Sequence, residues 1–279
     1  MLKTRIITAL LLFVVFVFAL FLLPAYAWVI LASLVAALAA WEWGGLQRHG
    51  ALTRGVLGGT TLTLAAILAL FYPEALGLGT GYSREAGWLL GRWFYIPAAV
   101  FWLAVVPVWM RSRWTLPASF LGSVIGALII LPTWLALVQL RQMGAWALVG
   151  LMAVVWVADT GAYFCGRRFG RRKLAPAISP GKTWEGAVGG AALVLAYGLG
   201  IGLGLEIVPM PAWPLLLFGM LLFAVLSVVG DLFESLLKRQ AGLKDSSAIL
   251  PGHGGVLDRI DSLTSTLPLV ALVWMLGWV

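Results

Sequence analysis

Long apolar runs alternate with short polar intervals along the whole chain. A helix needs roughly 17–25 apolar residues to cross a bilayer. Nine runs qualify: 6–23, 25–41, 56–72, 93–110, 116–138, 145–164, 187–205, 212–230 and 263–279. Each is apolar on every face, whereas membrane-spanning strands alternate over segments of about 10 residues. The pattern therefore predicts an all-α polytopic integral membrane protein with about nine transmembrane helices. Little more than Pro24 separates the first two runs, which predicts a tight hairpin or one partly interfacial helix. The first run also imitates a signal peptide, with Lys3 and Arg5 before it and Ala25-Tyr26-Ala27 after it. It exceeds the usual apolar region of about 7–15 residues and another apolar run follows at once, so a retained span is expected.

The polar intervals orient these spans. With the N-terminus placed inside, 16 of the 19 Lys and Arg residues fall on the cytoplasmic side, and Arg84, Arg92 and Arg141 remain outside. The alternation holds loop by loop, as the positive-inside rule requires, and it leaves the C-terminus outside. Composition agrees: 62% of the 279 residues are hydrophobic and 11% charged, against about 25% charged in a soluble domain. A soluble enzyme, a disordered chain and a disulfide scaffold are excluded. The lone Cys165 allows no internal disulfide and no thiolate metal site. Two regions result, 1–144 with spans one to five, and 145–279 with two polar inside loops at 165–186 and 231–262. Glycine pairs four apart, such as Gly186/Gly190, offer close helix approach, although 33 glycines make such pairs easy by chance.

Positive-inside bias gives no reason for acids to collect on the same side. Yet Glu42, Asp159, Glu185, Asp231, Glu234, Asp245, Asp258 and Asp261 all lie at or near it. A solvated loop neutralising its own charge is the plain alternative. Spacing argues for more. Ser227, Asp231 and Ser235 are four apart with Lys238 three later, so they share one face if the eighth helix continues beyond Gly230. Pro251-Gly252-His253-Gly254-Gly255 follows, a loop whose glycines let backbone N–H groups approach a ligand. Asp258 and Asp261, three apart at the start of the last helix, are expected to point the same way with Arg259 turned aside; either singly also suits a helix dipole.

Three converging carboxylates without thiolates suit a hard cation such as magnesium, which takes one or two carboxylates plus substrate phosphate oxygens. Zinc is disfavoured because only His49 and His253 are present. A metal, glycine-backed N–H groups and lysines together suggest a phosphorylated ligand. In the preceding loop, Gly181-Lys182-Thr183 echoes the end of a P-loop, but the pattern's first glycine falls at Pro176 and no strand is expected before it. Lys182 and Thr183 at a helix start remain candidates for phosphate contact. Asp159 inside the sixth span is a functional candidate, or a buried acid paired with Arg167 or Arg168.

These residues resemble the signature of the phosphatidate cytidylyltransferases, or CDP-diacylglycerol synthases. The match runs over about 27 positions, through Ser235-Leu236-Leu237-Lys238-Arg239, Lys244-Asp245-Ser246-Ser247 and the stretch Leu250-Pro251-Gly252-His253-Gly254-Gly255-Val256-Leu257-Asp258-Arg259-Ile260-Asp261. Asp159-Thr160-Gly161-Ala162-Tyr163, Gly166-Arg167 and Ser179-Pro180-Gly181-Lys182-Thr183-Trp184-Glu185-Gly186 resemble two further blocks, with Gly181 where the family usually carries a second lysine. The resemblance is strong from about residue 150 onward; before that only hydropathy is shared.

It implies an enzyme of the bacterial-type inner membrane, its site facing the cytoplasm, that converts CTP and phosphatidate to CDP-diacylglycerol and pyrophosphate. Magnesium dependence, a neighbouring potassium ion and a homodimer among membrane lipids, with no nucleic-acid partner, are implied with it. Carried over by position, Asp231, Asp258 and Asp261 hold metal and, with Lys238, do the catalytic work. Ser179, Lys182, Thr183, Ser235, Arg239, Lys244, Asp245, His253, Gly254, Gly255, Arg259 and Asp159 contact substrate. The CDP-alcohol phosphotransferases also cluster aspartates at a membrane face, but with aspartates four apart, unlike Asp258 and Asp261. A secondary transporter places its ionisable residues near the midplane, often in repeated halves, and no repeat is visible here.

The orientation has a direct check. In a background lacking Cys165, Ser179→Cys and Ser247→Cys are expected to resist an impermeant thiol reagent until the membrane is opened. A cysteine placed in the 73–92 interval should react from outside. Labelling of Ser247→Cys in intact cells would reverse the topology.

Overall fold

The apolar runs fold as helices, several of them longer than hydropathy alone marks. A computed structural model describes residues 2–79, 84–204 and 212–277; the expected span ends at 205 and 279, and the side chains of Lys3, Arg5 and Arg84, lie outside what is described. The helices are α1 (Leu2–Leu22), α2 (Ala25–Leu46), α3 (Ala51–Phe71), α4 (Arg84–Leu89), α5 (Arg92–Val100), α6 (Val106–Ser112), α7 (Phe120–Arg141) and α8 (Ala145–Phe169). Strands β1 (Lys173–Ala175) and β2 (Ser179–Thr183) follow, then α9 (Trp184–Gly204), α10 (Trp213–Ala241) and α11 (Leu257–Leu276). Among the described residues, 8 helices are long and apolar enough to cross a membrane, the stretch Gly87–Ser112 counting as one. Helix α1 is 21 residues long, and Leu10–Leu22 is its apolar portion among the described residues. That helix sets Phe16 and Phe21 against Trp156 and Trp146 of α8, at ring-centroid distances of 6.2 and 4.8 Å.

The fourth span is composite, for two local reasons. Pro97 lies inside α5 and Pro107 at the start of α6, each removing a backbone donor. Between them Phe101–Val105 widens into a π-helical turn. That turn aims Phe101 and Trp102 at Phe233 of α10, with centroids 5.8 and 5.6 Å apart.

Helix α10 does continue past Gly230, to a left-handed Gly242. Its 29 residues span roughly 43 Å at 1.5 Å per residue. The hydrocarbon core is only about 30 Å thick, so its last turns stand clear of it. Helix α11 begins at Leu257, six residues before its apolar run, because Asp258 and Asp261 have polar partners there. Seryl bonds fasten the two helices: Ser262 Oγ donates to Ser227 O (3.1 Å) and Ser265 Oγ to Leu226 O (2.7 Å). Such contacts hold helices together where lipid offers no hydrophobic drive.

Polar contacts sort the helix ends into two levels. At one, Gln47 donates to Pro117 O and Ser119 O, Arg48 to Gln240 O, and Gln240 to Trp114 O. At the other, Arg141 donates to Leu20 O and Leu23 O, and Gln139 to Ala75 O and Gly87 O. The ends that share a level are those the alternating topology puts on one side.

One expectation is corrected. The loop after α8 is a hairpin, with β1 and β2 antiparallel and Lys173 opposite Thr183. A short strand therefore does precede Pro176. The turn 176–178 only closes the hairpin, and Lys182 and Thr183 sit on its second strand, which feeds directly into α9.

Helices α8 and α9 meet through glycines. A Cβ on Gly190 would lie 2.6 Å from the Ala158 carbonyl, and one on Gly186 would lie 2.8 Å from Ala162 O. Gly190→Leu is therefore expected to cost about 1–3 kcal/mol by overpacking, read as a lower melting temperature in detergent. Gly200→Leu, where a Cβ meets nothing within 4 Å, should leave the melting temperature unchanged.

Candidate active site

The site gathers at the level reached by the end of α10 and the start of α11. On α10 the i,i+4 spacing sets two parallel polar rows. In one row Ser235 Oγ donates to Asp231 Oδ1 at 3.2 Å, and Asp231 Oδ2 lies 2.5 Å from Lys182 Nζ of β2. In the other, Lys238 Nζ bridges Glu234 Oε2 (3.1 Å) and Asp258 Oδ1 (2.5 Å). The single face expected from Asp231, Ser235 and Lys238 thus divides. Asp231 and Ser235 turn toward the hairpin, while Lys238 turns inward to α11. The Lys182 and Asp231 side chains are 26% and 30% exposed; Lys238 and Asp258 are buried.

Asp258 has both oxygens committed. Its Oδ2 accepts from Ser246 N (2.9 Å), Gly255 N (2.8 Å) and Ser246 Oγ (2.9 Å), while Lys238 occupies Oδ1. The bond from Gly255 is the reach-back of a capping box, so the helix-start alternative accounts for part of this carboxylate. Ser246 Oγ also lies 3.0 Å from Glu42 Oε2, and its one proton serves one acid at a time. The loop between α10 and α11 turns at Gly252 and Gly254, both at positive φ (76° and 78°). At Gly254 a Cβ would also fall 2.6 Å from Asp258 Oδ2, so glycine is required twice over.

Asp261 and Asp258 share Lys238 and Glu234 as charged neighbours. Asp261 Oδ1 accepts the backbone N–H of Ser262 at 2.6 Å, and it lies within electrostatic range of Asp231 and Glu234. A small cavity lined by Gly230, Glu234, Asp261 and Trp102 opens beside it. Two buried polar atoms of that lining, Glu234 Oε1 and Trp102 Nε1, have no protein hydrogen-bond partner. Asp159 on α8 is exposed, and its charged neighbours are Asp231, Lys182 and Arg259. The pairing with Arg167 or Arg168 is not formed; Arg167 donates instead to Tyr163 Oη at 3.1 Å. Arg259 therefore contributes to the field around Asp159.

Other expected contacts are placed as follows. Thr183 is buried and caps α9, its Oγ1 accepting from Gly186 N at 3.1 Å. Ser179 is half-buried at the start of β2. Arg239 points outward and donates to Leu243 O at 3.1 Å. Lys244 and Asp245 are exposed, and His253 Nδ1 lies 3.5 Å from Pro251 O. Glu42, Glu234 and Ser246 join the site without having been assigned roles. Glu234 carried a signal in its i,i+4 spacing to Lys238, and Glu42 in being an acid near the end of an apolar run.

No three of the described Asp, Glu, His or Cys side chains gather closely enough to hold a metal. The donor chemistry nonetheless fits a hard divalent cation at a two-carboxylate site. Asp261 lies beside Glu234 and within electrostatic range of Asp231, whose own partners are Ser235 and Lys182, and all the candidate ligands are oxygens.

A profile of the cytidylyltransferase family matches residues 3–276. The chain belongs to the cytidylyltransferase family. The match covers the N-terminal helices too, where only hydropathy had been expected to be shared. Among relatives, a Pseudomonas aeruginosa protein named phosphatidate cytidylyltransferase is 42% identical over 100% of this chain and 99% of its own length. One from Haemophilus influenzae with the same name is 36% identical over 96% of each. A third, from Helicobacter pylori, is 44% identical over 49% of this chain and 50% of its own length.

For this cytidylyltransferase the division of α10 into two rows has a measurable consequence. Lys238→Met leaves Glu234 and Asp258 buried and unpaired, and breaking a buried ion pair from one side costs about 3–5 kcal/mol. Arg239→Ala, at an exposed position, should change stability by less than about 0.5 kcal/mol. Melting in detergent reads both. Equal, small changes would mean that Lys238 is solvated.

Proposed function

We propose that this protein is a CTP:phosphatidate cytidylyltransferase, forming CDP-diacylglycerol and pyrophosphate at the cytoplasmic face of a bacterial inner membrane. The observation that carries the reading is the row Asp231, Ser235 and Lys182 beside Asp261 and Asp159, standing where α10 leaves the hydrocarbon core. There a water-soluble nucleotide and a lipid phosphate can meet. The full-length similarity to proteins named phosphatidate cytidylyltransferase supports the substrate pair. The Lys- and Arg-rich loops at this level support the cytoplasmic side.

A phosphate monoester has a second pKa near 6, so phosphatidate is already largely a dianion at neutral pH. One of its oxygens forms the new bond to the α-phosphorus of CTP as the α–β bridging bond breaks and pyrophosphate departs with that electron pair. No general base is required, which accounts for a site without a histidine–carboxylate pair. The work left to the protein is to hold two anions in line and to neutralise the leaving group. A magnesium ion, held by Asp231 and Asp261 with substrate oxygens, would supply charge neutralisation on the triphosphate. Lys182 gives up Asp231 to engage phosphate, and it stays close because β2 carries it to the mouth of the site. Lys238 acts from behind, keeping Asp258 ionised and fixed so that α11 presents Asp261 at a constant position.

The test is transfer of label from α-phosphate-labelled CTP into lipid by purified protein with phosphatidate in detergent micelles. Label should appear in CDP-diacylglycerol with magnesium and vanish with EDTA. Asp231→Asn and Asp261→Asn should each lower kcat/KM by about 100-fold or more, the scale of removing one fixed electrostatic group. Folded protein that puts no label into lipid would overturn the assignment. Near-normal turnover of Asp261→Asn would remove that residue from the metal site.

A further inference from the structure

Glu42 lies near the cytoplasmic end of α2, 214 residues before Val256 in sequence, and its side chain is fully buried. No cation pairs with it among the described residues. Hydrogen-bond donors meet it instead, two within reach of each oxygen, one of them the Ser246 hydroxyl that it shares with Asp258. Oε1 accepts from Ser247 Oγ (2.6 Å) and Val256 N (2.9 Å); Oε2 accepts from Leu257 N (2.6 Å) and Ser246 Oγ (3.0 Å). An ionised carboxylate is expensive to bury without a full set of partners. Its position and that of the donors are therefore fixed together.

Two features make this more than ordinary core packing. The N-cap residue of α11, Val256, makes no side-chain cap bond, and Asp258 reaches back only as far as Gly255 N. Glu42 caps the start from another helix, meeting the N–H groups that a helix start leaves orphaned and setting negative charge at the positive end of the dipole. Glu42 also shares Ser246 with Asp258, so one hydroxyl couples the α2 carboxylate to the acid that holds Lys238. The end of α2 is a firm anchor, since Trp43 Nε1 donates to Gly122 O at 2.9 Å and Gln47 holds Pro117 O at 3.0 Å on α7 and its approach. Gly255 has a reason here that needs no ligand: a Cβ on it would lie 2.6 Å from the Glu42 carboxyl carbon.

We propose that Glu42 is a positioning residue for nucleotidyl transfer: from α2 it sets the 245–256 loop and the first turn of α11, and so holds Asp258, Lys238 and Asp261 in mutual register. This rests on the reaction proposed above. Glu42→Gln is the sharpest test, because the amide keeps the size but in either orientation turns its NH₂ toward a backbone N–H, that of Val256 or Leu257, which can only donate. Amide hydrogen exchange over 245–257 in the full-length protein is expected to rise, with α7 and α8 unchanged. Turnover per folded molecule should fall about 10-fold or more, the scale of a small misplacement of reacting groups, while KM for CTP moves by less than about 3-fold because no substrate contact is removed. Glu42→Asp, which keeps the charge at shorter reach, should recover part of kcat. Should Glu42→Gln fail to fold, Ser246→Ala cuts the link to Asp258 while leaving the α11 cap, and it should lower kcat in the same way.

Unchanged exchange in the loop, or wild-type kcat per folded molecule, would overturn the proposal; a lower yield of fully active enzyme would mean that Glu42 merely stabilises. If wild-type protein transferred no label, the reaction would be wrong, yet the exchange comparison would still decide whether Glu42 holds the loop.

Discussion

Everything at this site depends on finding partners for carboxyl groups in a place with little water. Isolated burial of one such group in its ionised form costs more than a domain's whole stability margin, so each must be met by a cation or by aligned donors. The protein uses both solutions side by side. Glu234 and Asp258 share Lys238, and Glu42 has four donors within reach in the loop that Asp258 also binds. These groups hold three helices at fixed heights, because no member can shift without stranding another. Asp231 stands more open in front of that shell, with Ser235 and Lys182 as its partners.

That division gives the acids two occupations. Asp258, despite its place in the densest part of the signature, spends both oxygens on the protein. Asp231 also bonds through both oxygens, to Ser235 and Lys182, but at a position 30% exposed, and Asp261 accepts from Ser262 N. Under the proposed reaction, magnesium would need only one or two carboxylates, completing its shell with water and phosphate. Asp258 serves the geometry of the others.

The helices were legible because each run is apolar on every face, a pattern that only a lipid-immersed helix tolerates. The continuation of α10 could also be anticipated, from the four-residue spacing of Ser227, Asp231 and Ser235. The direction of each side chain was less accessible. Asp231 and Lys238 are seven apart, nearly two turns, and the ideal helix drifts by about 20° over that interval. That drift, with the pull of Lys182 on one side and Asp258 on the other, sends them to different neighbours. The β1–β2 hairpin was missed because strands of three and five residues lie below any periodicity signal. Glu42 was visible as an acid near the end of an apolar run, but its partners are about 200 residues away and carry no local mark.

The length of α10 also bears on how the two reactants are encountered. Its last turns lift the carboxylate row to the height of lipid headgroups, so a phospholipid can present its phosphate without withdrawing its acyl chains from the bilayer. One reactant then arrives by lateral diffusion in two dimensions and the other through bulk water in three. Under the proposed reaction, the rate depends on the mole fraction of the lipid in its leaflet rather than on its amount per volume. Diluting the membrane with inert phospholipid becomes equivalent to lowering a concentration, while diluting the vesicles themselves does not.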